Sequence, residues 1–201
     1  ALGISSKFET LGFDISEKRI EELNERYDSN KEYYKKDFIG KKITFSNKTN
    51  DLEGSNVYII CVPTPINKNN LPDLSFIKKS ISIISTYIKS KDIVVLESTV
   101  YTGVTEHFAK FLELKTGLKN NKDFYLCYSP ERINPGDKTK KIKDINKVFA
   151  INTSNKSILL KIKKIYKLIS KKIIFSKKIK EAETAKAIEN TQRDLNIALF
   201  N

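Results

Sequence analysis

Four short stretches carry groups that could do chemistry, each at what reads as the end of a strand. They are Asp14 closing "ETLGFD", Thr64 in "CVPTP" (61–65), Thr99 in "ESTV" (97–100) and Glu131 in "YSPERINPGD" (128–137). An acid that ends a strand and opens a helix can take the two hydroxyls of a ribose, and the same placement equally suits a helix cap. Thr64 and Thr99 would offer hydroxyls to one crevice, or serve as turn formers. A further group lies near the last residue, in "AKAIENTQRD": Lys186 and Asn190 are four apart and share a helix face, with Arg193 and Asp194 close by on that face. A helix lysine is ordinarily a solvated charge, so this spacing alone assigns Lys186 no task.

The elements between these stretches alternate. "ETLGFDIS" reads as a strand ending at Asp14, after which Ser16 caps a helix through "EKRIEELNERY", with Ile15 and Ile20 placed for a hydrophobic staple. "KKITFS" is a short strand. "NVYIICV" (56–62) is a continuous apolar run, the mark of a strand buried on both faces, and it stops at "PTP". Asp73 caps the helix "LSFIKKSISIISTYI", whose Leu74, Ile77, Ile81, Ile84 and Ile88 keep one face. The strand "DIVVLES" (92–98), the helix "GVTEHFAKFLE" and the strands "DFYLCYS" (123–129), "KVFAIN" (147–152) and "KIIFS" (172–176) follow. This rhythm predicts an α/β fold with a doubly wound, Rossmann-like parallel sheet, whose strand ends at Asp14, Val62 and Ser98 open into one crevice lined by Thr99 and Glu131.

The composition sets bounds. With 39% apolar residues the 201-residue chain can bury a core, and its composition is not that of a disordered chain. No run of about 18 apolar residues exists to cross a bilayer, and no signal-peptide pattern opens the chain. Cys61 and Cys127 sit in apolar runs and read as small buried hydrophobes of a reducing cytoplasm, with a reactive thiol as the alternative. The net charge of +13 is local: residues 138–180 hold fifteen lysines and one acid, Asp144. Because "SILLKIKKIYKLISKK" repeats Ile158, Ile162, Ile165 and Ile169 at helical spacing, the lysines read as the wet face of a packed helix, and a polyanion or membrane-surface site is the competing reading. None of the seven glycines forms G-x-G-x-x-G, the phosphate-cradling loop such a fold is expected to carry.

Together "VPTP", "ESTVYTGVTE", "YSPERINPGDK" and "AETAKAIENTQRDLNIALFN" resemble the UDP-glucose/GDP-mannose dehydrogenase family, and within it the branch acting on UDP-N-acetylhexosamines at C6. The resemblance runs over the whole chain and implies an NAD-binding domain over 1–180, followed from 181 by the start of a long connecting helix. That helix, from near Ala182, would form a homodimer. It further implies a cytoplasmic enzyme of surface-polysaccharide synthesis. The missing glycine loop and the uncapped last helix then imply a chain truncated at both ends, inactive by itself because the nucleophilic cysteine lies beyond residue 201.

By the same resemblance Asp14, Arg19, Thr64 and Thr99 bind the cofactor, and Thr99 also holds a water beside the nicotinamide. Glu131 activates water for thioester hydrolysis, Arg132, Ile133 and Asn134 embrace the sugar nucleotide, and Lys186 and Asn190 stabilise the developing oxyanion. The reaction implied is a double oxidation of a C6 alcohol to a uronic acid through a cysteine thioester. It requires no metal, nucleic acid or membrane. A lysine-rich nucleic-acid module and another Rossmann dehydrogenase, such as a hydroxyacid dehydrogenase, are the competing functions.

Overall fold

The computed structural model describes residues 1–131 and 146–201. After a short 3-10 turn at Ile4–Ser6, β1 (Thr10–Phe13) pairs in parallel with β2 (Ile43–Ser46) across α1 (Glu17–Asn24). Ser16 caps α1 by accepting the Arg19 N–H. The expected staple does not form: Ile20 is buried, but Ile15 is 74% exposed. The entry to α1 is fixed instead by Asp14, whose Oδ1 accepts the Ser16 N–H at 2.9 Å, an Asx turn that leaves Ile15 no apolar contact to complete. β1 lies close on its neighbour. A Cβ on Gly12 would stand 2.6 Å from the Phe45 ring, so this strand position admits no side chain without a shift of that ring.

The main sheet has the order β3 (Val57–Ile60), β4 (Ile93–Leu96), β5 (Tyr125–Tyr128), β6 (Asn146–Ala150) and β7 (Lys172–Ser176). Between them lie α2 (Ser75–Ile84), α3 (Val104–Thr116) and α4 (Lys156–Tyr166), and α5 (Ile179–Phe200) follows β7. β3, β4 and β5 are parallel, and so are β6 and β7, but β6 runs antiparallel to β5. The sheet is therefore mixed rather than wholly parallel. A parallel partner for β5 would need a crossover of a dozen or more residues, usually a helix. The sequence from Ser129 to Ile145 carries two prolines and no helical apolar period.

Both sheet faces are covered. Val94, Leu96, Leu126 and Tyr128 share one core with α2, α3 and the start of α5 through Ile77, Ile81, Phe108, Leu112, Ile179 and Ala182. Ile93, Val95, Tyr125 and Cys127 form the other with Phe149, Ile158, Ile162 and Tyr166. That is why "DIVVLES" has no alternation: all four residues of β4 have zero exposure. Each fully buried aliphatic side chain there is worth about 1.5–3 kcal/mol relative to exposure. The two cysteines part company. Cys127 is wholly buried in β5, whereas Cys61 falls one residue beyond β3 and is exposed, because the "VPTP" turn has already left the ladder. β1 and β3 each keep one edge without a strand partner among the described residues.

Candidate functional site

The turn after β3 and the loop after β4 are laced together. Glu97 N–H donates to the Ile60 carbonyl, Ser98 Oγ to the Val62 carbonyl at 2.7 Å, and Thr64 Oγ1 to the Thr99 carbonyl at 2.8 Å. Thr64 thus holds the loop that presents Thr99, whose own side chain is exposed. Beside them β5 is followed by Ser129, which donates through its N–H to the Leu96 carbonyl and through its hydroxyl to the Val148 carbonyl, and leads to half-buried Glu131. Cys61 is exposed at the same strand ends, yet desolvation by neighbouring protein, with Glu97 adding, pushes its thiol up to about 12. It stays protonated near neutrality and is a poor nucleophile.

Behind this mouth is a buried polar network that sequence reading missed. Lys147 Nζ lies 2.6 Å from Glu97 Oε2 and 4.0 Å from Glu131 Oε2, and stands over the Tyr166 ring at 5.4 Å. Tyr166 donates its hydroxyl to Glu97 Oε1 at 2.6 Å. Glu97 and Lys147 are 8% and 5% exposed. The Nζ approach is an ion pair without a well-directed hydrogen bond. Burial, then the charge of Glu97, hold the Tyr166 phenol well above its ordinary range. One signal was available in sequence, an acid directly following the apolar run "IVVL". Lys147 gave none, since it is one of fifteen lysines in its stretch and the one buried among those described.

α5 turns a narrow stripe inward: Ile179, Ala182, Glu183 and Lys186 are buried, with Asn190 and Arg193 half-buried further along. Lys186 is therefore not the solvated lysine its composition suggests, and Glu189 pairs with it at 3.7 Å. Glu183 has zero exposure. Its Oε2 accepts the Gly103 N–H at 2.7 Å and its Oε1 the Thr105 N–H at 2.9 Å, so α5 supplies the cap for α3.

Asp14 is exposed at the end of β1, where its N–H donates to Ser46 and one carboxylate oxygen accepts Ser16. Arg19 turns back: its guanidinium donates to Asp28 at 2.7 Å and to Glu22 at 3.3 Å. No described contact joins Asp14 or Arg19 to the Thr64–Thr99 loop. Arg132, Ile133 and Asn134 lie outside the described residues. On α4 the described lysines are exposed while Ile158, Ile162 and Tyr166 are buried, the arrangement expected of a helix with one wet face. Among the described residues no helix is long and apolar enough to cross a membrane.

Residues 2–170 match the family model for the UDP-glucose/GDP-mannose dehydrogenase family, NAD binding domain. The chain is 41% identical over 203 residues to Protein CapL of Staphylococcus aureus, covering 100% of this chain and 47% of that protein. To the UDP-N-acetyl-D-glucosamine 6-dehydrogenase of Pseudomonas aeruginosa it is 42% identical over 204 residues, covering 100% and 48%. The solved structure of UDP-D-ManNAc dehydrogenase from Pyrococcus horikoshii superposes with a TM-score of 0.88 at 32% identity, over 98% of this chain and 48% of that one. The chain thus spans about half the length of the curated relatives it matches.

Proposed function

The chain belongs to the UDP-glucose/GDP-mannose dehydrogenase family, in its NAD binding domain, and from that premise we propose that the full-length protein oxidises the C6 alcohol of a UDP-N-acetylhexosamine to the uronic acid. The observation that carries this reading is Lys186. A lysine 7% exposed on the inward stripe of α5, with Asn190 next along, is costly to desolvate and is suited to meeting negative charge in a dry site.

The donor set fits NAD in kind. Asp14 is an exposed carboxylate at the end of β1, suited to ribose hydroxyls, and the exposed Thr99 follows β4 on a loop held by the Thr64 hydroxyl. When bound, NAD supplies the oxidising equivalents, two being needed to take an alcohol to a carboxylate. The chain's own part is electrostatic and positional. Lys186 and Asn190 donate to the oxygen on which charge develops, Thr99 fixes the reacting end, and Glu131 accepts a proton from water in the hydrolytic step. Arg132, Ile133 and Asn134 hold the sugar nucleotide. Arg19, its guanidinium paired with Asp28 and Glu22, lies near the adenosine end of the cofactor.

From Ile188 onward α5 exposes Ile188, Leu195, Ile197, Leu199 and Phe200, which supports a homodimer built on this helix. A cytoplasmic place and a role in surface-polysaccharide synthesis complete the reading. The test is steady-state kinetics of the full-length protein with NAD and UDP-N-acetyl sugars. Lys186→Ala should lower turnover by about 10²–10³ with a smaller change in the Michaelis constant, and turnover within twofold of wild type would refute it.

A further inference from the structure

α3 has no cap of its own. The residue at its cap position is Gly103, in the left-handed region at φ 96°, with no side chain to accept from the first turn. The acceptors come from 80 residues away, where both carboxylate oxygens of wholly buried Glu183 are used, one on Gly103 N–H and one on Thr105 N–H. Two outer contacts flank this clamp: Thr184 and Thr102 share a hydroxyl–hydroxyl hydrogen bond at 2.8 Å, and Lys180 pairs with Glu106 at 3.1 Å.

The clamp closes a short loop. Residues 99–102 are fixed at the β4 end by the Thr64 and Ser98 hydrogen bonds, and at the α3 end by Glu183. On α5, Glu183, Lys186 and Asn190 stand at i, i+3 and i+7, one face of a rigid rod. At about 1.5 Å per residue, Lys186 sits about 4.5 Å and Asn190 about 10 Å further along the axis. A slip of α5 at Glu183 is therefore carried undiminished to both. Three successive polar contacts at the first turns of α5, all to the start of α3, resist sliding and rotation together.

We propose that Glu183 is a positioning residue, registering α5 against the loop that bears Thr99 and so setting where Lys186 and Asn190 stand relative to it. The proposal rests on the reading of Lys186 and Asn190 given above. A carboxylate that merely stabilised α3 would alter unfolding without a selective effect on turnover. A positioning group alters turnover more than substrate binding, because a misplacement of about 1 Å can cost about 10²-fold in rate.

The experiment uses the full-length protein with NAD and UDP-N-acetyl-D-glucosamine, together with hydrogen exchange of the Gly103 and Thr105 amides. Glu183→Gln keeps one acceptor and sets an amide donor against the other N–H. It should release the two amides from protection and lower turnover about tenfold, with the Michaelis constant for the sugar moving by less than about threefold. Glu183→Ala should cost about 10²-fold, and Thr184→Val, a near-isosteric change at an exposed site, a smaller effect of the same sign. If Glu183→Ala does not fold, the Gln and Val variants carry the test. Retained amide protection in Glu183→Gln overturns the clamp. Lost protection with turnover unchanged, in a protein where Lys186→Ala does lose turnover, overturns positioning. Should Lys186→Ala itself keep wild-type turnover, the reading of α5 as catalytic has failed, and positioning falls with it whatever the amides report.

Discussion

Removing one member of the Glu97–Lys147 pair should cost far more than removing both. In Lys147→Met the side-chain stem is nearly conserved, so little cavity term arises. What changes is that the Glu97 carboxylate, 8% exposed, keeps among the described residues the Tyr166 hydroxyl at 2.6 Å as its remaining side-chain partner. Breaking a buried pair from one side typically costs about 3–5 kcal/mol, since the remaining charge has lost its compensation. At about 2–4 °C per kcal/mol for a chain of this size, the melting temperature should fall by about 6–20 °C. Glu97→Gln should cost less than Lys147→Met, because Lys147 retains a second carboxylate, Glu131 Oε2, at 4.0 Å. The double variant Glu97→Gln/Lys147→Met removes both charges of the pair and should return to within about 1–2 kcal/mol of wild type. Equilibrium urea unfolding of the four proteins gives the cycle, with an expected coupling above about 2 kcal/mol and little dependence on salt, because a buried pair is weakly screened. Additive single-variant losses, or a Lys147→Met loss within about 0.5 kcal/mol, would mean that water reaches the pair and that the network is not the buried unit described.

The acid limb of stability should depend on Asp28. Burial alone would raise its carboxyl, but the Arg19 guanidinium and the N–H groups of Tyr33 and Asn30 outweigh it and hold the group below its ordinary range. A depressed carboxyl contributes stability that is present above the unfolded value of about 3.9 and lost as pH falls through the folded one. Asp28→Asn should therefore flatten that part of an acid unfolding curve; an unchanged acid limb counts against the Arg19–Asp28 brace. Residues 1–201 by themselves should bind NAD only weakly in a calorimetric titration. Oxygens of Ser16, Asp73, Glu183 and Asn155 already accept first-turn N–H groups of α1, α2, α3 and α4 and would compete with a pyrophosphate at each of these helix starts. A low-micromolar constant would refute this. In the full-length protein Lys186→Ala and Asn190→Ala should be sub-additive in turnover, as the proposal that both donate to one oxygen requires, and strict additivity in the double variant would separate their roles.

Much of this was legible in one dimension because local chemistry dictates it. A short β-branched apolar run such as "IVVL" reads as a strand covered on both faces, and the isoleucine stripe of α2 as one buried helix face. Ser16 and Asp73 announce helix starts through side-chain oxygens that accept N–H groups two or three residues on, a purely local bond. The strand-end residues Thr64 and Thr99 were visible for the same reason, since a proline turn and a polar tetrapeptide end their strands. The tertiary structure decided what depends on distant partners. The antiparallel turn of β6 depends on how the chain returns from β5, and the exposure of Ile15 on an Asx turn that replaces a staple. Lys147 looks like its fourteen neighbouring lysines until β6 sets it against Glu97, and Glu183 looks like any helix acid until α5 is laid across the start of α3. A charge carries no mark in sequence of whether it will be solvated or paired, because that depends on which groups the fold brings within about 3 Å, and Glu97 lies 50 residues from Lys147 and Gly103 80 from Glu183.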